Sequence, residues 1–238
     1  YVGFIFFELS PRNVNNNFLE FINDFNFKNT QPVCVYVNPD EEFVYRTSSY
    51  LHNPILQFHG NEDSSFCESF GLEYWKAIRV KTSKDFDELK NYESASAILM
   101  ENHKDGFYGG TGESFDWEML KDFDTDKHNL ILSGGINSKN VDNALTTKSW
   151  CIDINSGVES EVGKKDINLI NNIVDKINAK GYKGEEVLRD MFLGYAQAYW
   201  YIADKPSPTE KELWDIADTR FPNVKVLTTS ISAEVTKQ

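Results

Sequence analysis

The sequence predicts an α/β fold in which helices surround a single parallel sheet. Three observations predict it: short apolar runs alternate with amphipathic segments, seven such strand-plus-helix units have similar lengths, and several predicted strands end in glycine-rich loops. Seven units that finish near residue 180 suggest an eight-unit barrel without its first unit. Because the chain opens with the buried-strand pattern 1–7, we expect its natural N-terminus to lie upstream of Tyr1.

The predicted strands and helices follow in chain order. The strands cover residues 2–7, 32–37, 55–59, 74–80 and 96–100, and two more begin at Leu130 and Trp150. The helices cover residues 17–22, 86–90, 115–120 and 167–174, and three more begin at the cap-like segments 38–40, 62–64 and 137–140. Proline is favoured in the first helical turn, so we expect Pro39 at an early helical position.

Three consecutive strands are followed by small, donor-rich loops. These loops contain Gly109, Gly110, Thr111 and Gly112, then Ser133, Gly134 and Gly135, then Ser156 and Gly157. Glycine lets backbone N–H groups approach an anion without interference from a Cβ atom, and the Thr111 hydroxyl adds a donor. A glycine pair in one loop is more often a simple turn, but three loops in series predict a shared anion site at one end of the sheet.

Beyond residue 179 the alternation of strands and helices stops. The pattern therefore predicts a barrel domain over 1–179 and an extension over 180–238. Within the extension, 185–204 reads as an aromatic-rich helix, 210–217 as a second helix and 223–230 as a strand. The extension is interpreted as a packing element or a partner-binding tail. A sharper hypothesis is that its last strand fills the gap between the first and seventh strands.

Composition limits the classes of partner. The chain has 238 residues, of which 40% are hydrophobic, enough for one sizeable core. A net charge of −13 and a pI of about 4.8 argue against nucleic acid or an anionic membrane as partner. The three cysteines are far apart and odd in number, so we expect reduced thiols in a cytoplasmic protein. No apolar run approaches the ~20 residues that a membrane span needs.

A series of short motifs follows in a specific order along residues 1–178. It consists of Gly-Phe-Ile-Phe and Ser-Pro-Arg, Leu-Gln-Phe-His-Gly, Tyr-Gly-Gly-Thr-Gly and Phe-Asp-Trp, Leu-Ser-Gly-Gly, Asp-Ile-Asn-Ser-Gly-Val-Glu-Ser and Gly-Lys-Lys-Asp. The series resembles the phosphoribosylanthranilate isomerase family of tryptophan biosynthesis. The resemblance implies a TIM (β/α)₈ barrel, here without its first βα unit and with a C-terminal extension. It also implies an Amadori rearrangement of a small phosphorylated substrate without cofactor or metal.

The resemblance implies roles for several residues at the ends of strands. Arg12 matches the arginine that holds the anthranilate carboxylate, and a guanidinium suits that task because it binds a carboxylate with two parallel hydrogen bonds. His59 matches a histidine that lines the site, and Asp153 an aspartate near the anthranilate end. The structural alternatives are a surface arginine, a core histidine and an aspartate paired with a neighbour. The phosphate site corresponds to the loops of Gly134-Gly135 and Ser156-Gly157.

The resemblance also implies an acid and a base on opposite sides of the sugar, and both are in doubt. The family's base is a cysteine on the first strand, a position to which Cys34, Cys67 and Cys151 do not correspond. The family's acid, counted seven residues back from the first loop glycine, falls on Asn102. An asparagine donates hydrogen bonds but is not an acid. By strand alternation we expect the neighbouring Glu101 to point away from the lumen, which leaves Asp105 as a substitute.

Two alternatives to an active isomerase remain open. The first is a catalytically impaired barrel that still binds a phosphorylated ligand or acts as a scaffold, and Asn102 favours it. The second is a different phosphosugar barrel such as indole-glycerol-phosphate synthase, which relies on a lysine and a glutamate at strand ends. Lys76 lies within a predicted strand, which argues against that alternative.

Overall fold

Seven parallel strands form a curled barrel sheet. The computed structural model describes residues 1–14, 19, 22, 27, 30–102, 116–123, 127–147, 149–180 and 231–234. The parallel strands are β1 (Val2–Phe6), β2 (Pro32–Tyr36), β3 (Ile55–Phe58), β4 (Tyr74–Val80), β5 (Ala97–Asn102), β6 (Asn129–Leu132) and β7 (Cys151–Ile154). Each pairs with its neighbours in chain order, as the alternating pattern predicts. All seven therefore end at the same edge, here called the carboxyl rim.

Helices follow the strands on the outside of the sheet. They are α1 (Glu41–Ser48), α2 (Ser64–Glu68), α3 (Val141–Ala144) and α4 (Ile167–Ala179), with 3₁₀ helices at Ser83–Asn91 and Trp117–Asp122. Asp40, Asp63 and Asp166 accept hydrogen bonds from backbone N–H groups of the first turns of α1, α2 and α4. Pro39 precedes the cap of α1, so the expectation that it occupies a helical position is wrong. Of the predicted helix 17–22, Leu19 and Ile22 are described, and both are helical and buried.

The buried hydrophobic residues form two clusters, one inside the barrel and one on the outside of its sheet. The larger cluster includes Val44 of α1 and Ile170 of α4, so it lies between sheet and helices. The smaller one, here called the lumen cluster, contains only strand residues: Val33, Val35, Ile55, Trp75, Ala77, Ala97, Leu99, Ile131 and Cys151. Side chains alternate along a strand, and every member of the lumen cluster has an odd residue number. Odd-numbered positions of β2 to β7 therefore face the lumen.

A charged hairpin follows β7, and the sequence pattern does not predict it. Its strands are β8 (Glu159–Glu161) and β9 (Lys164–Lys165), paired antiparallel around Gly163 at φ +79°. A Cβ atom on Gly163 would lie 3.5 Å from the carbonyl oxygen of Pro11, so the hairpin rests on the loop after β1. This contact brings the ends of β1 and β7 together at the carboxyl rim.

A short C-terminal strand closes the barrel. This strand, β10 (Ile231–Glu234), lies between β1 and β7 and pairs antiparallel with both. In its register Ser232 is opposite Asp153. A C-terminal strand thus does lie between the first and seventh strands. It begins just after the predicted run 223–230, which lies outside the described residues together with the predicted tail helices 185–204 and 210–217.

The extension and the barrel are described to different extents. Of residues 180–238 the structure describes Lys180 and β10, so the proposed division at residue 179 stays a prediction. Within the described residues, no helix combines the length and the apolar character that crossing a bilayer requires.

Candidate functional site

Polar side chains replace apolar ones where the lumen reaches the carboxyl rim. The odd-numbered positions nearest the rim are Gln57, His59, Arg79, Glu101, Ser133 and Asp153. Below them the same face of each strand carries the apolar lumen cluster. The structure therefore brings two of the predicted site residues, His59 and Asp153, to the mouth of the barrel.

Glu101 rather than Asn102 faces the lumen at the end of β5. In the pairing of β4 with β5, Glu101 is opposite Arg79 and Asn102 is opposite Val80, which is buried in the outer core. Cross-strand partners share a face, so Asn102 belongs to the outer face. Glu101 shares its face with Leu99 of the lumen cluster and is 4% exposed. The expectation that Glu101 points away from the lumen is therefore wrong, whereas the assignment of the acid position to Asn102, which lies on the outer face, stays a prediction.

Asp153 is held by Ser133, the residue that directly follows β6. The Ser133 hydroxyl donates to Asp153 Oδ2 at 3.0 Å, and both side chains are buried. A buried carboxylate is costly without such partners. The pairing agrees with the structural alternative for Asp153, while the lumen position also leaves it facing the mouth.

His59 is a buried, neutral imidazole. Its backbone N–H donates to the carbonyl oxygen of Tyr36 at 2.8 Å, and within the described residues Nδ1 has no hydrogen-bond partner. Burial, followed by the charges of Lys76 and Arg79, lowers the pKa of His59 to about 3. The ring is therefore uncharged near neutral pH and is a poor proton acceptor.

A buried ion pair outside the lumen fixes the loop that carries His59. Lys76 donates to Glu62 Oε2 at 3.0 Å and to the carbonyl oxygen of Gly60 at 2.7 Å. Glu62 Oε1 in turn accepts from the backbone N–H groups of Asn38 and Gly60. Lys76 is opposite Ile98, a residue of the outer core, so its side chain leaves the lumen. This placement removes the basis for the indole-glycerol-phosphate synthase alternative.

Two of the three predicted phosphate loops lie side by side at the carboxyl rim. A Cβ atom on Gly157 would be 1.9 Å from the carbonyl oxygen of Ile136, and Gly157 forms a parallel bridge with Asn137. Gly134 and Gly135 have φ values of +90° and +66°, which glycine adopts readily. The Asn137 amide donates to the carbonyl oxygen of Gly135 and fixes the orientation of that peptide.

The remaining predicted residues near this loop are placed as follows. Ser133 lies beside Asp153, and Ser156 precedes Gly157 in the second turn. Asp105, Gly109, Gly110, Thr111 and Gly112 lie outside the described residues.

Arg12 belongs to a buried network that the sequence pattern does not predict. Its Nε and Nη2 atoms donate to Glu159 Oε1 and Oε2 at 2.8 and 2.6 Å. Glu159 also accepts from Lys165 Nζ at 2.9 Å, and both of those side chains are 4% exposed. Glu159 and Lys165 lie within the motifs Val-Glu-Ser and Lys-Lys-Asp, but the motifs alone assign them no role. Their position directly after the third glycine-containing loop is the feature of the sequence that could have indicated a role for them at the site.

The network shifts the pKa values of its members. Burial alone would raise the pKa of Glu159, but the hydrogen bonds and charges of Arg12 and Lys165 outweigh it and hold that pKa below its ordinary value. Burial lowers the pKa of Lys165 to about 8, although Glu159 opposes the change. Near neutral pH the network therefore contains two cations around one carboxylate.

The three cysteines lie away from the mouth of the barrel. Cys34 is in the outer core, Cys67 is within α2, and Cys151 is at the amino end of β7. Burial raises the pKa of Cys34 and of Cys67 to about 12, so both stay protonated. The expectation that none of the three occupies the position of a catalytic base agrees with these placements.

Comparisons with known proteins identify similar sequences and folds. A model of the family described as N-(5'phosphoribosyl)anthranilate (PRA) isomerase matches residues 1–176. A protein of Leptothrix cholodnii with that activity in its name is 36% identical over 181 residues, covering 74% of this chain and 80% of its own. One of the same name from Cellvibrio japonicus is 34% identical over 189 residues, covering 76% and 87%.

Solved structures of the same kind superpose on the barrel. The phosphoribosyl anthranilate isomerase of Thermotoga maritima has a TM-score of 0.66 at 30% identity and covers 76% of this chain and 87% of its own. A crystal structure of such an enzyme in complex with reduced 1-(o-carboxyphenylamino)-1-deoxyribulose 5-phosphate has a TM-score of 0.62 at 30% identity and the same coverage.

Proposed function

The chain belongs to the phosphoribosylanthranilate isomerase family, and on that premise we propose that it rearranges N-(5-phosphoribosyl)anthranilate to 1-(o-carboxyphenylamino)-1-deoxyribulose 5-phosphate in tryptophan biosynthesis. One observation supports the proposal most: an acid, an arginine fork and two adjacent glycine turns meet at one rim of the barrel. These groups match the three parts of the substrate, which are a sugar to be opened, a carboxylate and a phosphate.

The phosphate end is assigned to the glycine turns. Backbone N–H groups of Gly134, Gly135, Ser156 and Gly157 form the described part of the cradle, and the absence of a Cβ atom at Gly157 lets the two turns approach. We assign the loop of Gly109, Gly110, Thr111 and Gly112 to the same cradle on the resemblance alone.

The anthranilate end is assigned to Arg12 and Asp153. Glu159 occupies the Nε and Nη2 edge of the Arg12 guanidinium and fixes its plane. The other edge, formed by Nη1 and Nη2, is the one we assign to the substrate carboxylate. Asp153 and His59 line the mouth, where the neutral imidazole packs against the substrate rather than exchanging protons with it.

We assign the general acid to Glu101. A carboxylic acid can hold a proton and pass it to the ribose ring oxygen, which an asparagine cannot do. Glu101 has the lumen position at the end of β5, whereas Asn102 is on the outer face. Asp105 remains the candidate from the loop after β5, in case that loop supplies the proton instead.

The general base is assigned to a further βα unit. The resemblance puts a cysteine base on a strand between β1 and β7. In the structure β10 has that position in the antiparallel direction, and within the described residues no cysteine reaches the mouth. We propose that a parallel strand N-terminal to β1 takes the position of β10, supplies the base and completes the TIM (β/α)₈ barrel.

The experiment measures turnover of the complete protein and its variants at the end of β5. Glu101→Gln is expected to lower kcat by about 10²–10⁴-fold because it removes the transferable proton. Glu101→Asp is expected to retain part of the rate, and the matched neighbour Asn102→Ala to stay close to wild type. A wild-type rate for Glu101→Gln contradicts the acid assignment. A gain of several orders of magnitude in turnover for Asn102→Asp favours a barrel that is catalytically impaired in the wild type.

A second candidate function is a barrel that binds a phosphorylated ligand without turnover. The occupation of the base-bearing position by β10 favours it. The two candidates differ in one experiment: calorimetric titration with inorganic phosphate shows binding in both cases, whereas product formation occurs only with the isomerase.

We also propose a cytoplasmic enzyme, since all three cysteines are free thiols. The aromatic segment 185–204 is proposed to pack on the barrel or on a protein partner. Size-exclusion chromatography of the chain, compared with a variant in which Tyr199, Trp200 and Tyr201 are replaced by serine, tests whether the aromatic segment mediates association while β10 is kept.

A further inference from the structure

The ammonium group of Lys165 is enclosed by three oxygen atoms. Nζ donates to the carbonyl oxygen of Asn155 at 2.8 Å, to Asn155 Oδ1, and to Glu159 Oε1 at 2.9 Å. The side chain is 4% exposed. A lysine has three N–H donors, so this arrangement satisfies a buried cation in full.

The acceptors of Lys165 belong to two different parts of the site. Asn155 opens the turn that contains Ser156 and Gly157, and its carbonyl oxygen also accepts the N–H of Val158. Glu159 holds the guanidinium of Arg12 with two hydrogen bonds. Lys165 thus touches the turn assigned to phosphate and the carboxylate that orients the arginine assigned to anthranilate.

We propose that Lys165 is a positioning residue that couples the two ends of the substrate site, holding the Ser156-Gly157 turn through Asn155 and Arg12 through Glu159. This inference deepens the proposed function and rests on its assignment of the two substrate ends. Lys165 acts through Asn155 and Glu159 rather than on the substrate itself. Its effect is to fix the distance between an anion cradle after β7 and a guanidinium on the loop after β1.

The alternative is that Lys165 only stabilises the hairpin, as Lys76 stabilises the loop after β3. Lys76 has the same buried glutamate pairing, but its partners are Glu62 and the carbonyl oxygens of Phe58 and Gly60, none of which is assigned to the substrate. Stabilisation alone changes the amount of folded protein but not the affinity of folded protein for substrate. Affinity measurements therefore separate the two roles.

The experiment compares Lys165→Met with Lys164→Met in the complete protein. Lys164 is the adjacent residue of β9, is half exposed and pairs only with Glu161 at 3.4 Å within the described contacts. Lys165→Met is expected to raise KM by about tenfold or more with kcat changed much less, because binding geometry rather than chemistry is lost. Lys164→Met is expected to keep both constants.

A double-mutant cycle with Arg12→Met shows whether Lys165 acts through Arg12. If it does, the fold-increase in KM for the double variant is well below the product of the fold-increases for the two single variants. Multiplicative effects, or equal KM values for Lys165→Met and Lys164→Met, overturn the proposal. If Lys165→Met does not fold, the wild type decides: KM must rise as Lys165 loses its proton, and a flat KM from roughly pH 7 to roughly pH 10, a range that spans its titration, overturns the proposal.

Failure of the proposed function is distinguishable from failure of this inference. If the wild type shows no turnover, the isomerase assignment fails, and the coupling is judged by titration with inorganic phosphate. Weaker phosphate binding by Lys165→Met than by Lys164→Met then supports the positioning role. Equal binding rejects it.

Discussion

Replacing Gly157 with alanine tests whether the two described glycine turns form one anion cradle. A Cβ atom there would be 1.9 Å from the carbonyl oxygen of Ile136 and 2.9 Å from Asn137 Cα. Because a carbon–oxygen contact needs about 3.3 Å, the turns must separate by roughly 1.4 Å (3.3 minus 1.9). A misplacement of about 1 Å in a positioning group costs on the order of 100-fold. We therefore expect kcat/KM to fall by about two orders of magnitude for Gly157→Ala.

The matched control is Gly71→Ala. Gly71 has φ +62°, but no atom lies within 4 Å of the point that an added Cβ atom would occupy. That variant carries about 1–2 kcal/mol of backbone strain without moving any loop of the site. The assay combines steady-state kinetics with urea denaturation, so that lost affinity is separated from lost stability. The reasoning is refuted if Gly157→Ala keeps wild-type kcat/KM, or if both glycine variants lose activity equally.

Two further predictions concern the buried lysines. The KM of the wild type is expected to rise as pH increases through about 8, where Lys165 loses its proton. The same lysine has a folded pKa below its unfolded value of 10.5, so its contribution to the free energy of unfolding is highest above pH 10.5 and is lost as pH falls to 8. With rising pH, substrate affinity is expected to fall while the free energy of unfolding rises. Steady-state kinetics and urea denaturation over this pH range check both effects, which are expected to be absent in Lys165→Met. Lys76→Met is expected to lower the free energy of unfolding by about 3–5 kcal/mol, because Glu62 then stays buried without its cation. The exposed Lys90→Met is expected to lower it by less than about 1 kcal/mol. Urea denaturation measures both.

Much of the fold could be predicted because its strands are apolar runs. The predicted strands agree with β1 to β7 within a few residues, because a strand buried on both faces has a continuous hydrophobic signature. The hairpin of Glu159–Glu161 with Lys164–Lys165 could not be found this way. Its strands are too short and too charged to show a period of two, and contacts with the loop after β1 determine its position.

The lumen position of a candidate residue could be predicted where the residue is tied to a strand end, and not where it is counted across a loop. His59 and Asp153 follow directly from their strands, and both face the mouth. The prediction for Asn102 rests on counting back from Gly109 across the loop after β5. Counting forward from Leu99, whose side chain is in the lumen cluster, assigns the lumen position to Glu101.

Charge explains why geometry must dominate anion binding in this site. The chain carries a net charge of −13, so long-range attraction does not favour an anionic substrate. In the network after β7, the cations Arg12 and Lys165 lie beside the carboxylate of Glu159, and Asp153 also acts on Lys165, so this network supplies little net charge for an anion. What remains to bind a phosphate is the direction of backbone N–H groups in the glycine turns, and what remains for a carboxylate is one oriented edge of a guanidinium. Both depend on how closely the ends of β1, β6 and β7 are held together, which is the distance that Gly157 permits and Lys165 maintains.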